Sequence, residues 1–261
     1  MRCAVVGHVE WVEFARVPHL PAASEIVHAE EVWAEPAGGG AVVARQLALL
    51  AGRCELFTAL GDDELGRRSE RLLAGLGIDV HAEVFGATRR AWTHVDAEGE
   101  RTITVLGDKL LPRSEVSLHG YDAAFFVSGT VEALRAARAA RFLAATLREL
   151  PTLHEAGVPV DLLVGSANDA GERYDGSLDA ATVVLTAGHE GGTVDGKPFA
   201  AARLPGAVAD TYGAGDSFAA ALCFALARGD SQQDALELAA RAGAAAITGR
   251  GPYGAQLTLP K

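Results

Sequence analysis

The stretch DTYGAGDSFAAALCFALARG, Asp210 to Gly229, sets two carboxylates around a glycine bend and runs directly into an apolar helix. The first turn of a helix carries unpaired N–H groups and the positive end of the dipole, so it receives anions. Gly213 and Gly215 let the backbone curve into a nest that an anion approaches without meeting a Cβ. Asp216, in that turn, has two readings that spacing alone leaves even. It caps the helix, or it takes a proton from a hydroxyl while the amides steady a phosphoryl group in transfer.

Other residues with chemical potential divide more clearly. GGTVDGKP (191–198) nearly spells a phosphate loop, but Pro198 stands where a hydroxyl belongs and lacks the N–H a cradle needs. VDGK is better read as an Asp-Gly hairpin turn. VVGHVEWV after the first strand lacks the Gly-x-Gly-x-x-Gly of a dinucleotide site. His8 and Glu10, two apart on a strand, share one side and point into a common site or form a solvated pair. His94 and Asp96 read as an exposed strand face. Trp11, Trp33 and Trp92 wall a ligand or serve packing, and Cys223 inside an apolar helix is a small core residue.

The elements that must position these groups alternate. RCAVVG, CELFTALG, AAFFVSG, DLLVGS and ATVVLTAG are short apolar runs that suit buried parallel strands, and GAVAD (206–210) is a further candidate. Helical patterns separate them: 38–52, 64–77, 130–150 and the alanine-rich ALELAARAGAAAITG. Such alternation predicts an α/β fold, a three-layer α/β/α sandwich with a mainly parallel central sheet. Two pieces stand outside it. Residues 25–36 alternate as a half-exposed strand, and 89–107 read as a hairpin turning at AEGE. They form a flap over the site, an oligomer interface or an edge extension of the main sheet.

DTYGAGDSF resembles the signature of the PfkB/ribokinase-like carbohydrate kinases, Asp-Thr-x-Gly-Ala-Gly-Asp. GGGAVVARQLALLAG, GDDELGRR (61–68), TAGHEGG (186–192) and GAQLTLP (254–260) resemble further motifs of that family in the same order. The resemblance covers nearly the whole chain. It implies one ribokinase-like domain over 1–261, with a small β lid made of elements about 9–36 and 88–107. It implies phosphoryl transfer from ATP to a hydroxyl of a small sugar or sugar-like alcohol, a nucleoside being the alternative acceptor and a nucleotide-binding regulator without turnover the alternative role. Asp216 would be the general base, and the amides of Gly213, Ala214 and Gly215 the anion hole. Thr186, Gly188 and Gly191 would line the nucleotide site. Asp210 and the Gly254–Thr258 segment fall where relatives hold a monovalent cation such as K+. Gly38 and Gly39 would let the acceptor approach the backbone, and the lid implies a homodimer.

Departures from the pattern fall on the acceptor side. His8, Glu10 and Val12 stand where the family offers Asn and Asp, and Val43 replaces another Asn. The metal-associated Asn-x-x-Glu segment is replaced by Ser166 to Asp169, which leaves Ser166 and Asp169 to organise a hydrated Mg2+.

Bulk composition narrows the partners. Against 23 Lys and Arg stand 34 Asp and Glu, a net charge of −11, which argues against nucleic acid or an anionic membrane as partner. Cys3, Cys54 and Cys223 form no metal or disulfide spacing, and no apolar run reaches membrane-spanning length. A cytoplasmic location is expected.

Overall fold

The computed structural model describes residues 1–112 and 117–259. Chain order runs β1 (Cys3–Val6), β2 (Glu10–Arg16), β3 (Glu31–Ala37), α1 (Gly39–Ala51), β4 (Cys54–Leu60), α2 (Glu64–Gly75) and β5 (Ile78–Val84). It continues through β6 (Arg90–Val95), β7 (Arg101–Leu106), β8 (Ala123–Phe126), α3 (Val131–Ala137), β9 (Phe142–Thr146), α4 (Leu150–Ala156) and β10 (Leu162–Ser166). The last third holds β11 (Val183–Thr186), β12 (Gly192–Val194), β13 (Lys197–Phe199), α5 (Ala214–Arg228) and α6 (Gln232–Ala246).

Nine strands make the main sheet in the order β13-β12-β11-β10-β9-β8-β1-β4-β5. Pairing is parallel from β11 to β5, and the hairpin β12–β13 adds an antiparallel edge. Strand side chains alternate between faces, and here both faces are covered. Cys3 and Val5 enter the core under α1, α5 and α6, while Ala4 and Val6 enter the core under α3 and α4. This is the expected α/β/α sandwich. The Asp195–Gly196 turn between β12 and β13 has positive φ at both residues, 48° and 77°, as a tight hairpin requires.

Three local expectations are corrected. Residues 130–150 are not one helical stretch, because β9 interrupts them. Phe142–Thr146 pairs on both sides, with β8 and β10, and burial in the middle of a sheet outweighs the helix preference of the flanking Ala and Arg residues. The Arg138 side chain seals the break by donating to the Ala140 carbonyl and to Asp161. GAVAD is irregular rather than a strand, and strand structure in 25–36 begins only at Glu31.

The remaining strands form a second sheet, β3-β2-β6-β7. Only β2 and β6 pair in parallel. Val12, Phe14, Ala37, Ala91 and Val95 face the body and close over Val42 and Tyr212. Phe14 stacks on Trp33 at 4.8 Å and meets the Tyr212 ring edge-on at 5.2 Å. The β6–β7 turn is latched onto the strand-to-helix loop that precedes α5. Gly99 accepts from the Thr211 amide at 2.9 Å, and Arg16 donates to the Ala209 carbonyl at 3.1 Å. This sheet is the lid.

Candidate active site

Three chain turns meet where the sheet ends. β1 leaves through Gly7, and α1 starts so close to it that a Cβ on Gly40 would lie 2.6 Å from the His8 carbonyl oxygen. α1 begins after Gly38 (φ 88°) and α5 after Gly213 (φ 79°), neither with a side-chain cap. At Gly213 a Cβ would meet Val42 at 2.9 Å, so glycine is required both by dihedral and by space. Asp216 lies over Gly39, where a Cβ would stand 3.1 Å from its Oδ1. Together they open a cavity of about 310 Å³, whose walls include His8, Gly39, Ser166, Asp169, Thr186, Gly213, Gly215 and Asp216.

The capping role is not taken up by Asp216. Among the described residues its carboxylate accepts no hydrogen bond and pairs with no cation within 4 Å. Burial pushes its pKa up to about 6, with the charge of Glu172 adding to the rise and that of Arg101 opposing it. A short carboxylate next to helix amides, half-buried and unbonded, is a proton acceptor in waiting. The helix entrance beside it is open: no backbone acceptor among the described residues takes the N–H of Gly213 or Gly215, while Ala214 donates to the Thr211 carbonyl at 3.4 Å. A Cβ on Gly215 would meet no protein atom within 4 Å.

On one side of Asp216 stand His8, Glu10, Gly38 and Gly39. The His8 amide and Nδ1 both bond Ser128 Oγ, at 3.0 and 2.9 Å. Burial first, then the charges of Lys109, Arg89 and Arg148, push its pKa down to about 3, so the ring is neutral. Glu10 is buried beside Gly38 and ion-paired with Arg89 at 3.3 Å. Val43 does not reach the cavity wall; it packs in the main core, 1% exposed.

On the other side, Thr186 donates to the Gly165 carbonyl at 3.3 Å, and Gly188 is open to solvent. Gly191 closes the turn by accepting from the Ala187 amide. Asp169 and Glu172 both grip Arg148, while Gly171 N–H donates to Asp169 and Ser166 N–H to Glu172. All four carboxylate oxygens are thus engaged, and no group of three His, Cys, Asp or Glu among the described residues could hold a metal. A hydrated Mg2+ would meet Ser166 and Asp169 only through its own waters. Asp210 and Gly254 stand apart from the cavity. Asp210, fully buried, accepts from Tyr212 N–H and Gly251 N–H at 2.9 Å each, tying the signature loop to the turn around Gly254. Pro260, which ends the GAQLTLP segment, lies outside the described residues.

Sequence reading missed Arg89, Arg101, Lys109, Arg148 and Glu172. Arg101, Lys109, Arg148 and Glu172 line the cavity. No local motif surrounds them; Arg89, Arg101 and Lys109 flank the lid strands β6 and β7, while Arg148 follows β9 and Glu172 follows β10. Trp11, Trp33 and Trp92 do not line this cavity. They face a separate hollow of about 490 Å³ on the lid with Val32 and Ala34.

The profile of the pfkB family carbohydrate kinases matches residues 1–150 and 128–259, which is nearly the whole chain. The chain belongs to the pfkB family. Within the curated relatives, the bifunctional protein HldE of Caulobacter sp. (strain K31) is 29% identical over 242 residues, covering 77% of this chain and 49% of its own. The chain therefore spans about half the length of that relative. Solved structures repeat the pfkB architecture. Thermotoga maritima ribokinase superposes with a TM-score of 0.76 at 21% identity, covering 97% of this chain and 95% of its own. Arabidopsis thaliana ribokinase, complexed with ribose and ATP, superposes with a TM-score of 0.74 at 19% identity, covering 98% and 96%.

Proposed function

We infer that this pfkB-family chain is an ATP-dependent kinase that phosphorylates a hydroxyl of a small sugar or sugar-like alcohol. The observation that carries the reading is Asp216: an unbonded carboxylate with a pKa near 6, one helical turn from open amides. The acceptor oxygen attacks the γ-phosphorus, the bond from that phosphorus to the ADP oxygen breaks, and the hydroxyl proton passes to Asp216. A base with this pKa is ionised at neutral pH and holds a proton better than an ordinary aspartate. The N–H groups of Gly213, Ala214 and Gly215 receive the charge on the transferring oxygens.

Thr186, Gly188 and Gly191 take the nucleotide, with Ser166 and Asp169 near its phosphates. Mg2+ bound to ATP would spread phosphate charge there. His8, Glu10, Gly38 and Gly39 take the acceptor; with Val12 and Val43 both apolar and buried, its polar contacts fall to Glu10 and to the neutral His8. A nucleoside acceptor is the weaker reading, since no tryptophan lines the cavity for a base to stack on. The hollow on the lid takes a second copy of this chain. Its apolar floor is edged by Glu13 and Arg68, charges of both signs, as a self-complementary two-fold interface needs.

Measuring ADP release across pentoses, hexoses, polyols and nucleosides tests this, with Asp216→Asn as the blank. Asp216→Asn should keep ATP affinity and lose turnover by at least ~100-fold. Equal turnover in both proteins would remove Asp216 from the mechanism. ATP binding without turnover on any acceptor would favour the regulator.

A further inference from the structure

His8 follows β1 and Ser128 follows β8, and these neighbouring strands run parallel with Val6 beside Phe126. Two residues further along each strand, the same register sets His8 against Ser128. Ser128 is 0% exposed. Its Oγ lies 3.0 Å from the His8 amide nitrogen and 2.9 Å from His8 Nδ1, and it has no other hydrogen-bond partner among the described residues. The amide only donates, so Oγ accepts there. The hydroxyl still has one hydrogen to place, and a buried donor without an acceptor is costly. Nδ1 is the acceptor within reach, which requires a lone pair on that nitrogen. Burial, then the charges of Lys109, Arg89 and Arg148, keep the ring neutral, so its one proton sits on Nε2.

Nε2 is the end of the ring that the protein leaves open. It makes no hydrogen bond among the described residues, and His8 lines the cavity together with Gly39 and Asp216. A Cβ on Gly38 would stand 3.2 Å from Nε2 and 3.3 Å from Glu10 Cγ, so the ring and the Glu10 side chain abut the same point of the glycine turn. Glu10, ion-paired with Arg89 at 3.3 Å, offers only lone pairs. We propose that Ser128 is a positioning residue that holds the His8 ring as its Nε2–H tautomer, so that the substrate meets one N–H donor beside one carboxylate. Such a pair selects a substrate with a hydroxyl that donates to Glu10 and a nearby oxygen that accepts from Nε2–H. The substrate half rests on the kinase reading above. The tautomer is a property of the free protein.

Labelling histidine with 15N and recording its ring nitrogens by NMR at neutral pH reads the tautomer without substrate or turnover, with His8→Asn to assign the resonances. Wild type should show a protonated Nε2 and a bare Nδ1 on His8. A protonated Nδ1, or two tautomers in exchange, would overturn the proposal. Ser128→Ala removes the hydroxyl and should leave the tautomers mixed. In the same variant the KM for the phosphoryl-accepting substrate should rise at least ~5-fold, about one hydrogen bond, while ATP affinity stays within ~2-fold. D-ribose, D-fructose, D-mannitol and adenosine serve as the substrates. An unchanged KM, or equal losses in KM, kcat and ATP affinity with the tautomer kept, would make Ser128 structural only and overturn the proposal. If Ser128→Ala does not fold, the wild-type spectrum decides. If wild type phosphorylates none of the four, the kinase reading and the substrate half fall together, and the spectrum still decides whether Ser128 sets the His8 ring.

Discussion

Burial lifts the Asp216 carboxyl to about 6, while an unfolded chain holds aspartate near about 3.9, so the two states bind different numbers of protons between those values. The folded state binds more there, and stability therefore falls as pH rises from about 4 to about 6. Removing the charge should reverse this. Asp216→Asn is expected to gain on the order of 1–3 kcal/mol above pH 6 and little at pH 4, read by urea unfolding at both. A gain of equal size at both pH values would mean that the buried charge is not its source. Turnover runs the other way, because only the ionised carboxylate accepts a proton: kcat should climb through an apparent pKa of about 6 and level off above it. Asp216 was visible in the sequence as a candidate with two roles. The choice between them needed its hydrogen-bond partners, and it has none among the described residues.

The entrance of α5 is built from two glycines with different duties. Gly213 sits at φ 79° with Val42 2.9 Å from any Cβ, whereas Gly215 is in the helix with nothing of the protein within 4 Å of its own. Gly213→Ala should cost about 1–2 kcal/mol, since the left-handed conformation penalises a side chain and Val42 must give way. Gly215→Ala should melt within a degree or two of wild type, yet lower turnover at least tenfold by putting a methyl where phosphoryl oxygens pass. Thermal unfolding and ADP release on the same two proteins check both. If Gly215→Ala turns over normally, the amides are not the anion site. The elements themselves were largely legible, because strand and helix periods are local. β9 was not: FLAAT carries no strand alternation, and only its place between β8 and β10 makes it one.

At the scale of the molecule the lid does two jobs, covering the cleft on one face and offering an apolar hollow on the other. Trp92 sits 51% exposed in that hollow. Wild type is expected to be a dimer in light scattering at micromolar concentration, and Trp92→Glu a monomer with its melting unchanged at low concentration. A monomeric wild type would end the dimer reading. From the sequence alone came the α/β alternation, the ordered glycine motifs, the hairpin at 89–107 and Asp216 itself, all properties of neighbouring residues whose dihedrals and periods are set locally. Tertiary structure decided what neighbouring residues could not. It withdrew Val43 into the core, saturated Asp169 with Arg148, and brought Arg101 against the Thr211 carbonyl. Burial and charge act through space, so only the folded chain could say which carboxylates are paired and that Asp216, among the described residues, is not.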